Sequence, residues 1–518
     1  MSRIMIYDTT LRDGTQGEKV AFSVEDKLKV AKLLDDFGVD YIEGGWPGSN
    51  PKDMEFFRRV QGVGFRHAKI VAFGSTRRPN VKVEEDSILH SLIEAKTEAV
   101  TIFGKSWDFQ VTSALNTTLE ENLRMIEESV AYLKSHNLEV IYDAEHFFDA
   151  YKENPDYALA TLRAAVRGGA DILTLCETNG GALPWEMEEI ITAVKKEIPA
   201  VLGVHTHNDG EMGVANSLTA VKAGVEMVQG TINGYGERCG NANLSSIIPG
   251  ICLKMKRECL LPDSLVHLTE LSRSISELAN LSLNEGQPYV GKSAFAHKAG
   301  IHVSAIRKNP RTYEHLDPAL IGNERRILIS ELSGKSNILY KAEEFGLDKD
   351  KEVTRNVLQA VKNLENQGYQ FEGADASLEL LMKREAGLVK EPFALQNFRI
   401  IIERNSSGEL LSEVTIKVDV NGEIIHTAAE SYDGPVNALD KALRKALETV
   451  YPELANVHLN DYKVRVLEER VGTSAQVRVL IESGDEQTTW DTVGVSRNII
   501  EASWEALVDG IKYGLVKG

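Results

Sequence analysis

Two histidines spaced by one residue, His205-Thr206-His207, stand at the end of a short β-branched run, and a strand's period of two puts both imidazoles on one face. Paired imidazoles on one face can share a divalent metal, although the same spacing also suits ordinary hydrogen-bonded histidines. A second cluster, Asp8-Thr9-Thr10-Leu11-Arg12-Asp13-Gly14-Thr15-Gln16, packs carboxylate, guanidinium and amide into nine residues. It reads either as a reactive loop or as a helix-capping turn. A third segment, Gly234-Tyr235-Gly236-Glu237-Arg238-Cys239-Gly240-Asn241-Ala242-Asn243, is a glycine-rich turn into a helix, which brings Asn241 forward and offers backbone amides to an anion. Glu145-His146 and Glu177-Thr178-Asn179 add polar groups after two further runs of strand character. Asp with two His mixes hard and borderline ligands, a set suited to Mn²⁺, Mg²⁺, Co²⁺ or Zn²⁺ with positions left open for substrate oxygens.

These groups can meet only if the chain gathers them. From residue 4 to about 260 the sequence alternates short β-branched runs with amphipathic segments of helical period. The strand candidates are Ile4–Thr10, Tyr41–Trp46, Lys69–Thr76, Ala99–Gly104, Leu138–Ala144, Asp171–Glu177, Leu202–Thr206 and Glu226–Ile232. Eight βα units over about 260 residues fit a closed (β/α)8 TIM barrel of the α/β class, whose active sites lie at the C-terminal ends of the strands. All the polar clusters fall at such ends. No G-x-G-x-x-G follows the first strand, which argues against an open dinucleotide-binding sheet.

Three parts are expected: a catalytic barrel over 1–270, helical linker subdomains over 271–390, and an α+β regulatory domain over 391–518. A helix is expected over Ser264–Leu283, a functional loop over Asn284–Arg326 and a helical stretch from Leu328 to about Leu388. Beyond lie strands at Phe398–Glu403, Glu413–Val420, Val464–Glu468 and Ala475–Glu482, with helices near Pro435–Val450 and Ile499–Leu515.

At 518 residues, 42% hydrophobic and 26% charged, the chain can bury more than one core. Its net charge of −19 opposes general affinity for nucleic acid. No apolar run approaches a bilayer span and no signal pattern opens the chain, so cytoplasm is the expected location, without membrane association. Cys176, Cys239, Cys252 and Cys259 are too few for a disulfide framework and are expected as thiols.

The motifs Asp-Thr-Thr-Leu-Arg-Asp-Gly, His-Thr-His-Asn-Asp and Gly-Glu-Arg-Cys-Gly-Asn-Ala, in this order, resemble the metal-dependent barrel superfamily that holds isopropylmalate, homocitrate and citramalate synthases and the hydroxymethylglutaryl-CoA lyases. Ala299-Gly300-Ile301-His302 resembles the synthases' subdomain motif, and the C-terminal third resembles their allosteric domain, which the lyases lack. The resemblance implies a metal on Asp13, His205 and His207 with Asn241 beside it, Arg12 at the acceptor carbonyl, and Gln16 and Thr178 on the substrate. It further implies Glu145 as the carboxylate of an Asp, Arg, Glu signature and His302, assisted by Tyr313, as the base. It implies acetyl-CoA as donor, a homodimer and a branched-chain amino-acid effector. Thr15, Asn179-Gly180-Gly181, Tyr142-Asp143-Ala144-Glu145-His146-Phe147-Phe148, Lys292-Ser293-Ala294-Phe295-Ala296-His297-Lys298 and Tyr313-Glu314-His315 resemble the branch whose acceptor is pyruvate and whose end product is isoleucine. The alternatives are an isopropylmalate synthase, a homocitrate synthase or carboxylyase-type relative of the same barrel and, from another class, a non-catalytic amino-acid sensor, which intact barrel ligands argue against.

Overall fold

The computed structural model describes residues 3–347, 350–404, 406–467 and 475–517. Eight parallel strands close on themselves: β1 Met5–Asp8, β2 Tyr41–Gly45, β3 Lys69–Ser75, β4 Ala99–Lys105, β5 Glu139–Glu145, β6 Ile172–Glu177, β7 Val201–Thr206 and β8 Met227–Gly230. The last strand pairs with the first, Met5 opposite Met227 and Asp8 opposite Gly230, so the sheet has no edge. Buried on both faces, the strands are nearly continuous apolar runs, which made each of them readable.

The barrel interior is layered by the strand period. Tyr7, Tyr41, Val71, Ala99, Ile141, Ile172 and Met227 form one apolar layer. Two residues further along their strands, on the same inward face, stand Glu43, Thr101, Asp143, Thr174 and Gln229, all buried. An apolar floor therefore carries a polar layer, and the polar layer carries the mouth.

Local signals anchor the surrounding helices. Ser23 and Asp26 form a reciprocal capping box at the start of Val24–Phe37, and Gly38 ends that helix at φ 92°. Asn50 and Asn154 each cap a helix whose first residue is proline.

By packing, the described residues form two units, Met1–Phe295 with Asp317–Glu324, and Ala296–Leu316 with Arg325–Gly518. In the second unit the stretch expected as loop contains a helix, Gly300–Lys308, flanked by two paired two-residue strands, β9 Ala296–His297 and β10 Arg326–Ile327. Its N-cap is Ala299, which makes no side-chain cap, so no start signal marks it. The helix expected over Ser264–Leu283 is shorter, a 3-10 turn at Ser264–His267 followed by Leu268–Leu278. Helices Lys335–Glu344, Lys351–Asn366 and Asp375–Glu385 form the helical stretch.

The C-terminal part is a repeated β-β-β-α plan. Strands β11 Ala394–Arg404, β12 Leu410–Val420 and β13 Glu423–Ser431 precede helix Pro435–Leu447; β14 His458–Val466, β15 Val477–Gly484 and β16 Thr489–Ser496 precede helix Ile499–Val516. The sequence reading lacked the third strand of each sheet. For β13 the signal existed: Asn421-Gly422, at φ 55° and 88°, is a hairpin turn of the primed type. Of the expected strand Val464–Glu468, Glu468 lies outside the described residues. No helix among the described residues is long and apolar enough to cross a membrane.

Candidate metal centre and active site

The mouth of the barrel holds a cavity of about 210 Å³ lined by Arg12, Asp13, Gln16, Trp46, Phe73, Phe103, Asp143, Glu145, Cys176, Thr178, His205, His207, Glu237 and Arg238. Each charged group there is placed by a strand end or by the loop just after it. Asp13 precedes a 3-10 turn, Gly14–Gln16, after β1. His205 sits in β7, and His207, just past its end, bridges backbone-to-backbone with Asn241. Gly236 permits that approach: at φ 153°, any Cβ there would stand 2.2 Å from Asn241 Nδ2.

Asp13, His205 and His207 each turn one ligand atom to a common point, all within 4.8 Å of one another. His205 Nε2 lies 3.3 Å from His207 Nε2 and 3.6 Å from Asp13 Oδ2. Donor logic shows what this point wants. Gln229 Nε2 donates to Asp143 Oδ1 at 3.0 Å and to Thr174 Oγ1 at 3.2 Å, which turns Gln229 Oε1 toward His205 Nδ1 at 2.9 Å. The His205 proton therefore sits on Nδ1, and Nε2 presents a lone pair. Asp13 Oδ1 and Asn241 Oδ1, both buried, have no hydrogen-bond partner among the described residues. Burial, reinforced by His207, lowers the His205 pKa to about 3, so the ring is neutral. Burial pushes Asp13 upward, but Arg12, His205 and His207 outweigh it and hold the carboxylate at about 2. Two buried oxygens without a donor, beside three ligand atoms that converge, fit a divalent cation.

Arg12 is held on three sides. Its Nε donates to Glu43, its Nη1 lies 3.2 Å from Asp13 Oδ2, and its Cζ lies 3.7 Å over the Phe73 ring. Gln16 Oε1 accepts from Arg12 Nη1 at 3.4 Å. Glu43 also accepts from Tyr7 Oη at 2.6 Å, and Tyr7 Oη meets Thr101 Oγ1 at 2.8 Å. Burial raises the Glu43 pKa, with Arg12 opposing. Burial likewise takes Asp143 up to about 7.

Glu145 stands at the end of β5, ion-paired with Lys105. The Thr178 hydroxyl accepts from the His146 amide at 2.9 Å, and His146 itself is left-handed at φ 58°. Arg238 clamps two loops, donating to Asp209 at 2.7 Å and to the Thr178 carbonyl at 2.8 Å. The structure thus gathers Arg12, Asp13, Gln16, Glu145, Thr178, His205 and His207 around one cavity, with Asn241 beside the histidines. His302 and Tyr313 belong to the other unit, where their rings stack at 4.0 Å with 28° between planes.

Sequence reasoning missed Glu43, Asp143 and Gln229. A signal existed, one charged or amide residue inside each otherwise apolar strand: Ile42-Glu43-Gly44, Tyr142-Asp143-Ala144 and Val228-Gln229-Gly230. Which groups they meet depends on strands far apart in sequence.

A closed parallel barrel with a two-histidine, one-carboxylate mouth defines a metal-dependent barrel enzyme, and residues 3–273 match the HMGL-like family model. Residues 289–369 match the homocitrate synthase post-HMGL domain-like model, and 372–515 the LeuA allosteric (dimerisation) domain. The chain is 58% identical over 520 residues to the (R)-citramalate synthase of Geobacter sulfurreducens, covering 100% of this chain and 98% of that one. It is 55% identical to the (R)-citramalate synthase of Aquifex aeolicus, over 99% and 98% of the two chains. The 2-isopropylmalate synthase of Methanocaldococcus jannaschii is 30% identical, over 99% and 95%. The chain belongs to the (R)-citramalate synthase family.

Proposed function

We propose that this enzyme condenses acetyl-CoA with pyruvate and water to give (R)-citramalate and CoA, in the route to isoleucine. The observation that carries the reading is the convergence of Asp13, His205 and His207 on one point beside a fixed guanidinium, in a chain matched end to end by citramalate synthases.

Asp13, His205 and His207, with Asn241 adjacent, would hold a divalent cation, which would supply Lewis-acid polarisation of the acceptor ketone. Arg12, fixed by Glu43 and Phe73, is preorganised to stabilise the alkoxide that develops there, at no reorganisation cost. Gln16 and the Thr178 hydroxyl orient the acceptor's carboxylate. Trp46, Phe73 and Phe103 form an aromatic wall, Phe73 stacked on Phe103 at 5.5 Å and Trp46 edge-on to both. That wall favours a methyl over an isopropyl group, a discrimination of about 1–3 kcal/mol per methylene.

His302, its ring stacked on Tyr313, is our candidate for the base that takes the acetyl-CoA methyl proton. Glu145, on the cavity wall, is our candidate for the carboxylate of the Asp, Arg, Glu signature. The resulting carbanion equivalent attacks the ketone carbon; water then cleaves the thioester, releasing CoA and a carboxylate.

The LeuA domain match supports a homodimer and an amino-acid effector, for which isoleucine is our reading. A pocket of about 660 Å³ in the C-terminal unit, with Asp433, Asn437, Asp440, Arg444, His458 and Tyr462 among its walls, offers groups of both charges to a zwitterion.

The test is CoA release by metal-reconstituted enzyme with pyruvate or 2-oxoisovalerate. Faster turnover with pyruvate supports the assignment. Preference for 2-oxoisovalerate would keep the chemistry and move the protein to leucine synthesis, and no release with any 2-oxo acid would sink the proposal.

A further inference from the structure

At the end of the barrel opposite the mouth, two cysteines that the condensation does not use face one another. Cys252 lies in a single π-helical turn, Gly250–Lys254, that follows the helix after β8. Cys259 lies where the chain returns beneath β1: the amide of Ile4 donates to the Glu258 carbonyl at 2.8 Å, and Arg3 Nη2 donates to the Cys259 carbonyl at 3.2 Å. The two sulfurs are 2.8 Å apart. A disulfide bond is about 2.05 Å long, so closing it needs a shift of under an ångström, available from side-chain rotation in a turn of this kind.

The two thiols are not equivalent. Cys259 is fully buried, whereas Cys252 is partly exposed and can meet a small solute. The intervening residues carry Lys254, Lys256 and Arg257 against a single acid, Glu258, and Arg3 adds a further cation nearby. The Cys252 thiol lies below its ordinary pKa because the Cys259 thiol hydrogen-bonds it, with burial opposing and Arg3 helping. Cys259 is held well above, first by its bond to Cys252 and then by burial. The accessible sulfur is the thiolate-prone one, and the buried sulfur is the reserve.

We propose that Cys252 and Cys259 form a two-electron redox site, in which Cys252 takes up a peroxide-class oxidant and Cys259 resolves it to an intramolecular disulfide. The Cys252 thiolate attacks one oxygen of hydrogen peroxide; the O–O bond breaks, hydroxide departs and is protonated to water, and Cys252 becomes a sulfenic acid. The Cys259 sulfur then attacks the Cys252 sulfur. The S–O bond breaks, the hydroxyl leaves with the Cys259 proton as a second water, and the S–S bond forms. Two thiols are oxidised by two electrons and one peroxide is reduced to two waters. A dithiol reductant restores the pair. The product pins the segment that runs beneath the seam where β1 meets β8, away from the cation-binding residues.

Stoichiometric hydrogen peroxide applied to the full-length enzyme, followed by alkylation, peptide mapping and intact mass, tests the site. The expected product is a single chain lighter by two hydrogens, with the link mapped to Cys252 and Cys259 and reversed by dithiothreitol. In Cys259→Ser the same dose should leave a Cys252 sulfenic acid that a 1,3-diketone probe traps; in Cys252→Ser, Cys259 should remain a thiol. Oxidation confined to the exposed Cys239, Cys252 driven to the sulfinic acid without a link, or both sulfurs still alkylated at that dose would each overturn the proposal.

Discussion

Above its apolar floor the barrel buries charged and amide side chains, which the core of the C-terminal sheets lacks. Inside the barrel, Asp8, Asp13, Glu43, Asp143, His205 and Gln229 are all within 5% of complete burial. The core of the C-terminal sheets is Val414, Ile416, Val418 and Val420 facing Ala438, Leu439, Ala442, Leu443, Ala446 and Leu447, with no charged member. Burying charge is unfavourable unless each group finds a partner; the barrel links Arg12 to Glu43 and Asp143 to Gln229 from strand to strand and leaves Asp13 Oδ1 without a donor at the mouth. The lesson is one of division: residues in the barrel's polar layer are chosen for what they hold in place, and residues between the sheets for how they fill space.

The contrast can be broken most severely at the mouth. His207→Ala should lower CoA release by about 10³-fold or more while leaving the fold intact, and bound metal, measured after gel filtration, should fall with it. Retained metal and turnover would remove His207 from the centre. Next in size, Leu443→Ala should destabilise the C-terminal sheets by about 2–5 kcal/mol in a thermal or urea melt, with metal content unchanged; loss of metal in this variant would show that the two regions are not separate in function.

Protonation sharpens the comparison further. Burial raises Asp8 from 3.8 to about 7. The folded state thus holds a proton that the unfolded chain has already released, so Asp8 favours folding below about pH 4, and that contribution is lost as pH rises through 7. Asp8→Asn, which cannot ionise, should gain stability over the parent by an amount that grows between about pH 5 and pH 8, on the order of 1–3 kcal/mol. A gap between the two melting curves that does not vary with pH would mean that Asp8 keeps its ordinary pKa. The smallest effect belongs to Gln229→Leu, which removes the acceptor for His205 Nδ1 and should weaken metal affinity by about 10–100-fold in a competition titration without unfolding the barrel. Unchanged affinity would leave Gln229 as packing alone.

How much of this was legible depends on how far apart the decisive residues lie. All eight barrel strands were readable because each is a compact apolar run, and their ends flagged Asp13, His205, His207 and Asn241 as neighbours. The Arg12 to Glu43 contact was not readable, since it depends on β1 and β2 lying side by side with a particular register. Glu145, expected as the carboxylate of an Asp, Arg, Glu signature, lines the same cavity as Arg12 and Asp13 and pairs with Lys105, while Glu43, which holds Arg12, was not foreseen. The helix Gly300–Lys308 escaped notice because nine residues without a polar cap leave too short a period to detect.

Because β1 and β8 are partners in a closed ring, the groups that would share one ion come from opposite ends of the barrel's chain, Asp13 near its start and Asn241 near its finish. During synthesis the first of these leaves the ribosome more than two hundred residues before the last. No complete binding point exists on the growing polypeptide until the eighth strand and the loop after it have emerged, so loading must await ring closure, and an ion retained by the protein certifies that the barrel has shut.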